Sequence, residues 1–558
     1  MPIPELSIII PSYNRAKRLQ ACLKALRSQT QSFNDFEVIV VVDGSTDETM
    51  AAIDADHTPY CLRTIWQENS GQAAARNRGI SEARGRYCLL LDDDILASPN
   101  LVAEHIRVQR TADNIIALGQ IVLSLPDDAD PYAQTFAAGW QQHYDALNDG
   151  TTQPSWEDCY SGNLSVPREK LLACSGFATD LQRGEDVELG YRLWKAGCDI
   201  VYLPGAISHQ DERKGFLELN RDAEKSGRAD VIFYRRDPGM LSQALGSFCS
   251  TSWRKLLLRR ICLALHAPPS LLLGLGRLIR KAPRQRSWVG FVKELCYWRG
   301  VRSEANGTEL WNRIQSGVPV LLFHAIGGKG ETPDTFLMPR ERFARHLRWI
   351  RRLGYGVIAL EDFLACRRER RFPPPRSVVI TFDDGYEDNH TNALPVLRSH
   401  KMPATVFLVS RFVGQKNTWD RAGPLADRRL IGWPQIREMG QFGIGFGAHS
   451  QTHAALTRLE PDNAFMEIAS SREEIEQELP HPVTAFAYPY GLHNIEVQRM
   501  VEEAGYSLGC TVDPGLNGLG TPSFSLRRSE LQGRDSVMRL MLGLWLGDPE
   551  AIWRRKRT

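Results

Sequence analysis

Short, wholly apolar runs that end on carboxylates recur along this chain and restrict its fold more than any other feature. FEVIVVVDGSTDET closes on Asp43, CLLLDDDILASPNLV on Asp92, Asp93 and Asp94, and SVVITFDDGY on Asp383 and Asp384. Such runs, bounded by turn residues, read as buried strands, and strands apolar on both faces belong to parallel sheets covered by helices. The connecting segments agree: ACLKALRSQT, WPQIREMGQ and AFMEIASSREEIEQEL all have helical spacing. Ligands of parallel α/β sheets sit at the carboxyl ends of the strands, and the acids stand there. Paired carboxylates are costly to bury unless something offsets them, commonly a divalent cation.

A chain of 558 residues is too long for one core. We expect three parts: residues 1–235, a basic and partly apolar helical linker 236–305, and residues 306–558. The formal net charge of +2 leaves no nucleic-acid footprint in the total. Eleven cysteines without paired spacing suit buried thiols in a reducing compartment. MPIPELSIIIPSYN reads as a first strand and not as a signal peptide, so a cytoplasmic protein is expected.

The first part carries SIIIPSYN, FEVIVVVDGSTDET, ENSGQAAARNRGISEARGRY with Arg76 and Arg78, CLLLDDD, and RGEDVELGYRLWKAG, in that order. These segments resemble a family 2 glycosyltransferase of GT-A fold. The resemblance implies a nucleotide-sugar donor bound by Asp43, Arg76 and Asp92, with Asp94 completing a D-x-D pair on a divalent cation, Mg or Mn. It implies Asp186 as the base that deprotonates the acceptor hydroxyl in an inverting transfer. His209, in YLPGAISHQDE, stands where some such enzymes have a third metal ligand, but a solvated strand-end histidine reads equally from the sequence. The Q-x-x-R-W signature of polymerising members is absent, so one sugar per acceptor, or a short chain, is expected.

In the third part TFDDGY, HSQTH and FAYPYG follow in order. They resemble the polysaccharide deacetylases of carbohydrate esterase family 4, which implies a distorted (β/α) barrel. Asp384, His449 and His453 would hold a divalent transition metal (zinc), Asp383 would be the base for the attacking water, and the Tyr490 N–H would hold the oxyanion. No histidine follows His493; instead GVPVLLFHAIGG puts His324 at the end of an early strand, as in the circularly permuted branch, where it would be the general acid. Where the family has an arginine that orients the base, this chain has Ala487; Arg528 in FSLRRSEL is the candidate substitute, though a basic pair at a strand end reads equally as solvated. Trp419 and Trp433 read either as sugar-groove residues or as core.

Between them, SWRKLLLRRICLALHAPPSLLLGLGRLIRKAPRQRSWVGFVKELCYWRG is basic, amphipathic and aromatic. Its uncharged run Ile261–Gly276 is too short, and too broken by Pro268 and Pro269, to span a bilayer. Peripheral attachment to the inner face of an anionic membrane and an ordinary helical linker both fit. Together the parts describe a bifunctional enzyme of cell-envelope polysaccharide. It would transfer N-acetylglucosamine from a UDP donor to a glycan or lipid-linked, membrane-proximal acceptor, then remove the N-acetyl group. Two alternatives stand open: independent activities with the deacetylase acting on a pre-existing glycan, or one half a degenerate carbohydrate-binding module.

Overall fold

The computed structural model describes residues 3–54, 58–211, 214–276, 282–305, 307, 309–420 and 425–547. Arg277, Arg280 and Lys281 of the basic segment lie outside the described residues. The chain divides into two units: Met1–Phe233 with Ala267–Glu304, and Tyr234–His266 with Ala305–Thr558. Residues 236–305 are thus shared out between the units.

The first unit is built on one mixed sheet. Its strands are β1 (Leu6–Ser12), β2 (Phe36–Asp43), β3 (Cys61–Gln67), β4 (Tyr87–Leu91), β5 (Ile95–Ala97), β6 (Ile115–Ser124), β7 (Asn163–Pro167) and β8 (Asp199–Asp211). They are ordered β3-β2-β1-β4-β7-β6-β8-β5. The first four run parallel, and β7 is antiparallel to both its neighbours, which makes the sheet Rossmann-like with a mixed half, the GT-A arrangement. Strand alternation divides the apolar run of β2 between two cores: Val38, Val40 and Val42 enter one, Ile39 and Val41 the other. The sheet order reverses between β1 and β4, and the acids of β2 and β4 flank that switch point, where ligands of open α/β sheets bind. Two helices of this unit, Phe216–Arg236 and Ala282–Ala305, cross closely through glycine. A Cβ on Gly300 would lie 1.9 Å from Glu224 O, and one on Gly227 2.2 Å from Tyr297 O.

The second unit is a parallel main sheet and a separate two-stranded parallel sheet, with helices around them. Its strands are β9 (Val320–Phe323), β10 (Ala325–Gly327), β11 (Leu337–Pro339), β12 (Gly356–Val357), β13 (Ser377–Phe382), β14 (Ala404–Leu408), β15 (Ile444–Ala448), β16 (Ala485–Ala487), β17 (Leu508–Cys510) and β18 (Ser529–Glu530). The main path is β17-β16-β15-β14-β13-β9-β18. Residues 526–530 join its two ends: Thr511 N and Leu526 O bond at 2.8 Å beside β17, while β18 pairs with β9. The sheet is therefore a half-barrel drawn round by one short segment. The early strand β9 lies directly beside β13, with Phe323 opposite Phe382, so the residues that follow each strand are neighbours. Residues 234–266 pack within this unit: Phe248 meets Trp311 at 5.5 Å, and Cys249 Sγ donates to Gln315 O at 3.4 Å.

Among the described residues no helix is long and apolar enough to cross a membrane. All eleven cysteines are free thiols.

Candidate active sites

In the first unit, three strand ends converge. At the end of β2, Asp43 is buried and both its oxygens are engaged. Gln67 Nε2 and Ser70 N donate to one at 2.7 and 2.9 Å, and Gly71 N to the other at 2.9 Å. The aspartates after β4 each meet a cation. Asp92 accepts from Arg76 at 2.7 Å and from Gln72 at 3.1 Å. Asp93 accepts from Ser12 Oγ at 2.8 Å and Arg15 at 3.0 Å. Asp94 accepts from Arg15, Arg18 and Gln210 at 3.2, 3.1 and 3.0 Å.

Arg76 is 2% exposed and forks, with Nη2 on Asp92 and Nη1 on Glu185 at 2.9 Å. It thereby ties Asp92 to the start of the helix Glu185–Lys195. The next residue, Asp186, accepts from Ser161 N at 3.1 Å and Val187 N at 2.9 Å. Burial and the adjacent Glu185 raise its pKa, and Arg76 opposes them. A carboxyl that holds its proton more readily than usual suits a base.

His209 is not brought to these acids. It is exposed on β8 opposite Leu96 of β5, itself exposed, whereas the next residue, Gln210, reaches Asp94. Alternation puts neighbours in a strand on opposite faces. A register shift between Gly119 and Gln120 of β6, where β8 jumps from Leu203 to Ile207, decides which of the two faces inward.

In the second unit the carboxyl ends of β9, β13, β15 and β16 surround one point. Asp383 follows β13 and is held at its backbone by Phe323 O, at 3.0 Å. Arg528, fully buried, donates Nη1 and Nη2 to its two oxygens at 2.6 and 2.8 Å. Burial would raise the Asp383 pKa, but Arg528, with His449 and His324, more than offsets that and holds it below the usual range. Asp384 is likewise held low against its burial, first by the close approach of His453. Its Oδ1 lies 3.3 Å from His453 Nε2 and 3.6 Å from His449 Nε2.

Asp384, His449 and His453 are the one group among the described residues that brings three potential metal-ligand side chains together, with ligand atoms all within 4.8 Å. His449 Nδ1–H donates to Ala487 O at 2.8 Å, which turns Nε2 toward Asp384. The buried Asp384 Oδ1 has no hydrogen-bond donor among the described residues. A divalent metal fits this donor set: two imidazoles and a carboxylate, one of them oriented through its second nitrogen.

The backbone here is forced. Asp384, Ser450, His453 and Tyr490 all have left-handed φ, at 70°, 61°, 64° and 59°. Non-glycine residues in that region cost about 1–3 kcal/mol each and cluster at functional sites. The His449–His453 loop is clamped from the helix Pro461–Glu478. Glu467 accepts from Thr452 N and Oγ1 at 2.8 and 2.7 Å, and Glu474 from Gln451 at 2.6 Å. His324 follows β9 with its Nδ1 4.0 Å from Glu530 and its ring 4.8 Å from Phe336. Trp419 stacks on His453 at 4.7 Å, and Tyr490 packs on the same ring at 4.5 Å. Trp433 is packed against the main core instead.

The sequence did not point to Arg15, Gln210, Ser450, Glu467 or Glu530. Only Glu530 had a local signal, lying two residues beyond Arg528, at the end of the short strand that Arg528 precedes.

Comparison with known proteins agrees with this division. Residues 7–172 match the family model "Glycosyl transferase family 2", and residues 370–509 match "Polysaccharide deacetylase". YxkH of Bacillus subtilis, named as a polysaccharide deacetylase, is 27% identical over 230 residues, 41% of this chain and 77% of its own length. A poly-beta-1,6-N-acetyl-D-glucosamine N-deacetylase of Staphylococcus epidermidis is 25% identical over 36% of this chain and 70% of its own length. Validoxylamine A glucosyltransferase of Streptomyces hygroscopicus subsp. jinggangensis is 30% identical over 36% of this chain. The chain spans about half of that relative, 53%.

Proposed function

Because the chain joins a family 2 glycosyltransferase domain to a polysaccharide deacetylase domain, we propose that it acts twice on one product. It adds N-acetylglucosamine from a UDP donor to a membrane-proximal, lipid-linked or glycan acceptor, and then removes the acetyl group.

In the transfer step Asp43 positions the nucleotide, and Asp92 and Asp94 would hold a divalent cation (Mg or Mn) against the donor diphosphate. Asp186 takes the acceptor hydroxyl proton as the oxygen attacks the anomeric carbon from the face opposite the leaving diphosphate, which inverts the centre. In the hydrolytic step Asp384, His449 and His453 would hold zinc, which polarises the amide carbonyl and acidifies water when bound. Asp383, kept ionised and aimed by Arg528, takes a proton from the attacking water. The Tyr490 N–H holds the oxyanion. His324 gives a proton to the departing nitrogen. Arg528 on Asp383 beside the Asp384–His449–His453 group is the observation that carries this reading.

The presence of an N-acetylglucosamine polymer in the name of one relative supports the choice of sugar. The test is mass spectrometry of acceptors after incubation with membranes and UDP-N-acetylglucosamine. Wild type should add a hexosamine without acetyl, Asp383→Asn an N-acetylhexosamine, and Asp186→Asn nothing. Acetylated product from wild type, with acetyl lost only from glycan already present, would replace this reading by two independent activities.

A further inference from the structure

The helix Val537–Leu546 turns apolar residues toward solvent as well as toward the core. Leu540, Leu544 and Leu546 are buried, yet Met538, Met541 and Trp545 are 71%, 42% and 48% exposed. Spaced three and four apart, these three form one stripe along the outer face of the helix. Ile261, 45% exposed, belongs to the helix Trp253–Ala264 in the same unit, and Leu265, 74% exposed, caps its C-terminus. Arg260 links the two helices: its guanidinium lies 5.6 Å over the Trp545 ring and donates to Trp545 O at 2.5 Å.

The surroundings are cationic. The helix Arg340–Arg352 runs beside the stripe. It is tied at one end by Arg342 Nη1 to Gly533 O at 2.5 Å and at the other by Tyr355 OH to Leu544 O at 3.1 Å. It carries arginine at 340, 342, 345, 348, 351 and 352 against the single acid Glu341. Where the stripe helix begins, a cavity of about 180 Å³ is lined by Arg342, Arg345, Arg534, His346, Asp535 and Ser536. His346 is fully buried there against the Asp535 backbone, and neither ring nitrogen makes a well-formed hydrogen bond among the described residues. Asp535, the only acid among the described residues of the lining, is 3.9 Å from Arg539. Arginines, a helix N-terminus and an unsatisfied imidazole together fit a phosphate group.

An apolar stripe flanked by arginines is the composition of a helix that lies in a membrane interface. We infer that this face docks on an anionic phospholipid bilayer, the stripe entering the headgroup–acyl boundary while the arginine cavity takes a lipid phosphate. The inference rests on the membrane-proximal acceptor proposed above and gives the contact to this face of the deacetylase unit, not to the basic segment at large.

The experiment is co-sedimentation of the full chain with phosphatidylglycerol or phosphatidylcholine vesicles, with and without inorganic phosphate. Wild type should pellet with the anionic vesicles only. Met541→Asp combined with Trp545→Asp should weaken this about tenfold or more, and Arg345→Glu about tenfold. Deacetylation of a soluble chitooligosaccharide should be unchanged in all of them, which reports an intact fold. Wild type that ignores both vesicles would overturn this inference and the membrane-proximal acceptor together. Wild type that binds while the stripe variants bind equally would overturn the inference alone. Phosphate that protects the cavity arginines from modification, without any dependence of vesicle binding on the stripe, would make the cavity a free-anion site. A dimer that the stripe variants convert to monomer would give the face to a second copy of the chain. Either of these last results also overturns it.

Discussion

His105 Nε2 meets Asn163 Oδ1 at 2.8 Å, and its Nδ1 meets Ser165 Oγ at 2.8 Å. Gln109 donates to the same Ser165 oxygen at 3.0 Å, so the Ser165 proton is free to point at Nδ1 and the ring is neutral. Burial pushes its pKa down from 6.5 to about 4. The unfolded chain therefore takes up the proton first. The stabilisation is present in full above about pH 6.5 and is lost as pH falls from there toward 4, about 3 kcal/mol over the window. Protection factors in peptides of β6 and β7, with the rates corrected for the intrinsic pH dependence of exchange, should fall between pH 7 and 4.5, and in His105→Gln that fall should shrink. Arg528 offers a second test. Arg528→Leu leaves Asp383 buried without its partner, which typically costs about 3–5 kcal/mol, read as a lower melting temperature. Arg528→Lys keeps the charge but not the fork, so kcat should fall by about 10²-fold with metal content retained. His324→Ala should lower deacetylation by about 10²–10⁴-fold and leave sugar transfer untouched; near-normal turnover would remove the acid assigned to the departing nitrogen.

Strands of both sheets were legible because an uninterrupted apolar run has one economical place, the middle of a covered parallel sheet. The acids at their ends were legible for the same reason, since a carboxylate following such a run is already at a ligand-binding edge. Register was not legible. Choosing between His209 and Gln210 required the three-residue jump in the β6–β8 pairing, which no periodicity announces. Glu467 and Glu474 were hidden too, as they sit in a helix whose acidic residues read as a solvated face, yet they hold the loop that carries His453. Glu467→Ala removes both anchors of Thr452 without touching a ligand. Zinc affinity should then fall by about 10–100-fold, measured by competition with a chelator. An unchanged affinity would mean that the strained φ values of Ser450 and His453 are fixed by the strand ends alone.

At the scale of the whole molecule, the order of the two domains was legible from their motifs, but the fate of residues 236–305 was not. Amphipathic helices advertise an apolar face without saying which core receives it, and here the first part feeds one unit and the second part the other. The chain consequently passes from unit to unit at 233/234, 266/267 and 304/305. The bond His266–Ala267 is a suitable place to open it, as His266 is exposed. A protease site inserted there would give two pieces, each bearing a strip that the other needs. The first would keep Phe248 and Arg260, which lodge against Trp311 and Trp545, and the second would keep Tyr297, whose hydroxyl donates to Asp230 at 2.5 Å. Such pieces are interlaced like two hands with exchanged fingers: nicked protein should show two bands on a denaturing gel, co-elute under native conditions and retain both reactions, whereas a gene truncated at residue 306 should yield a deacetylase deprived of its own strip.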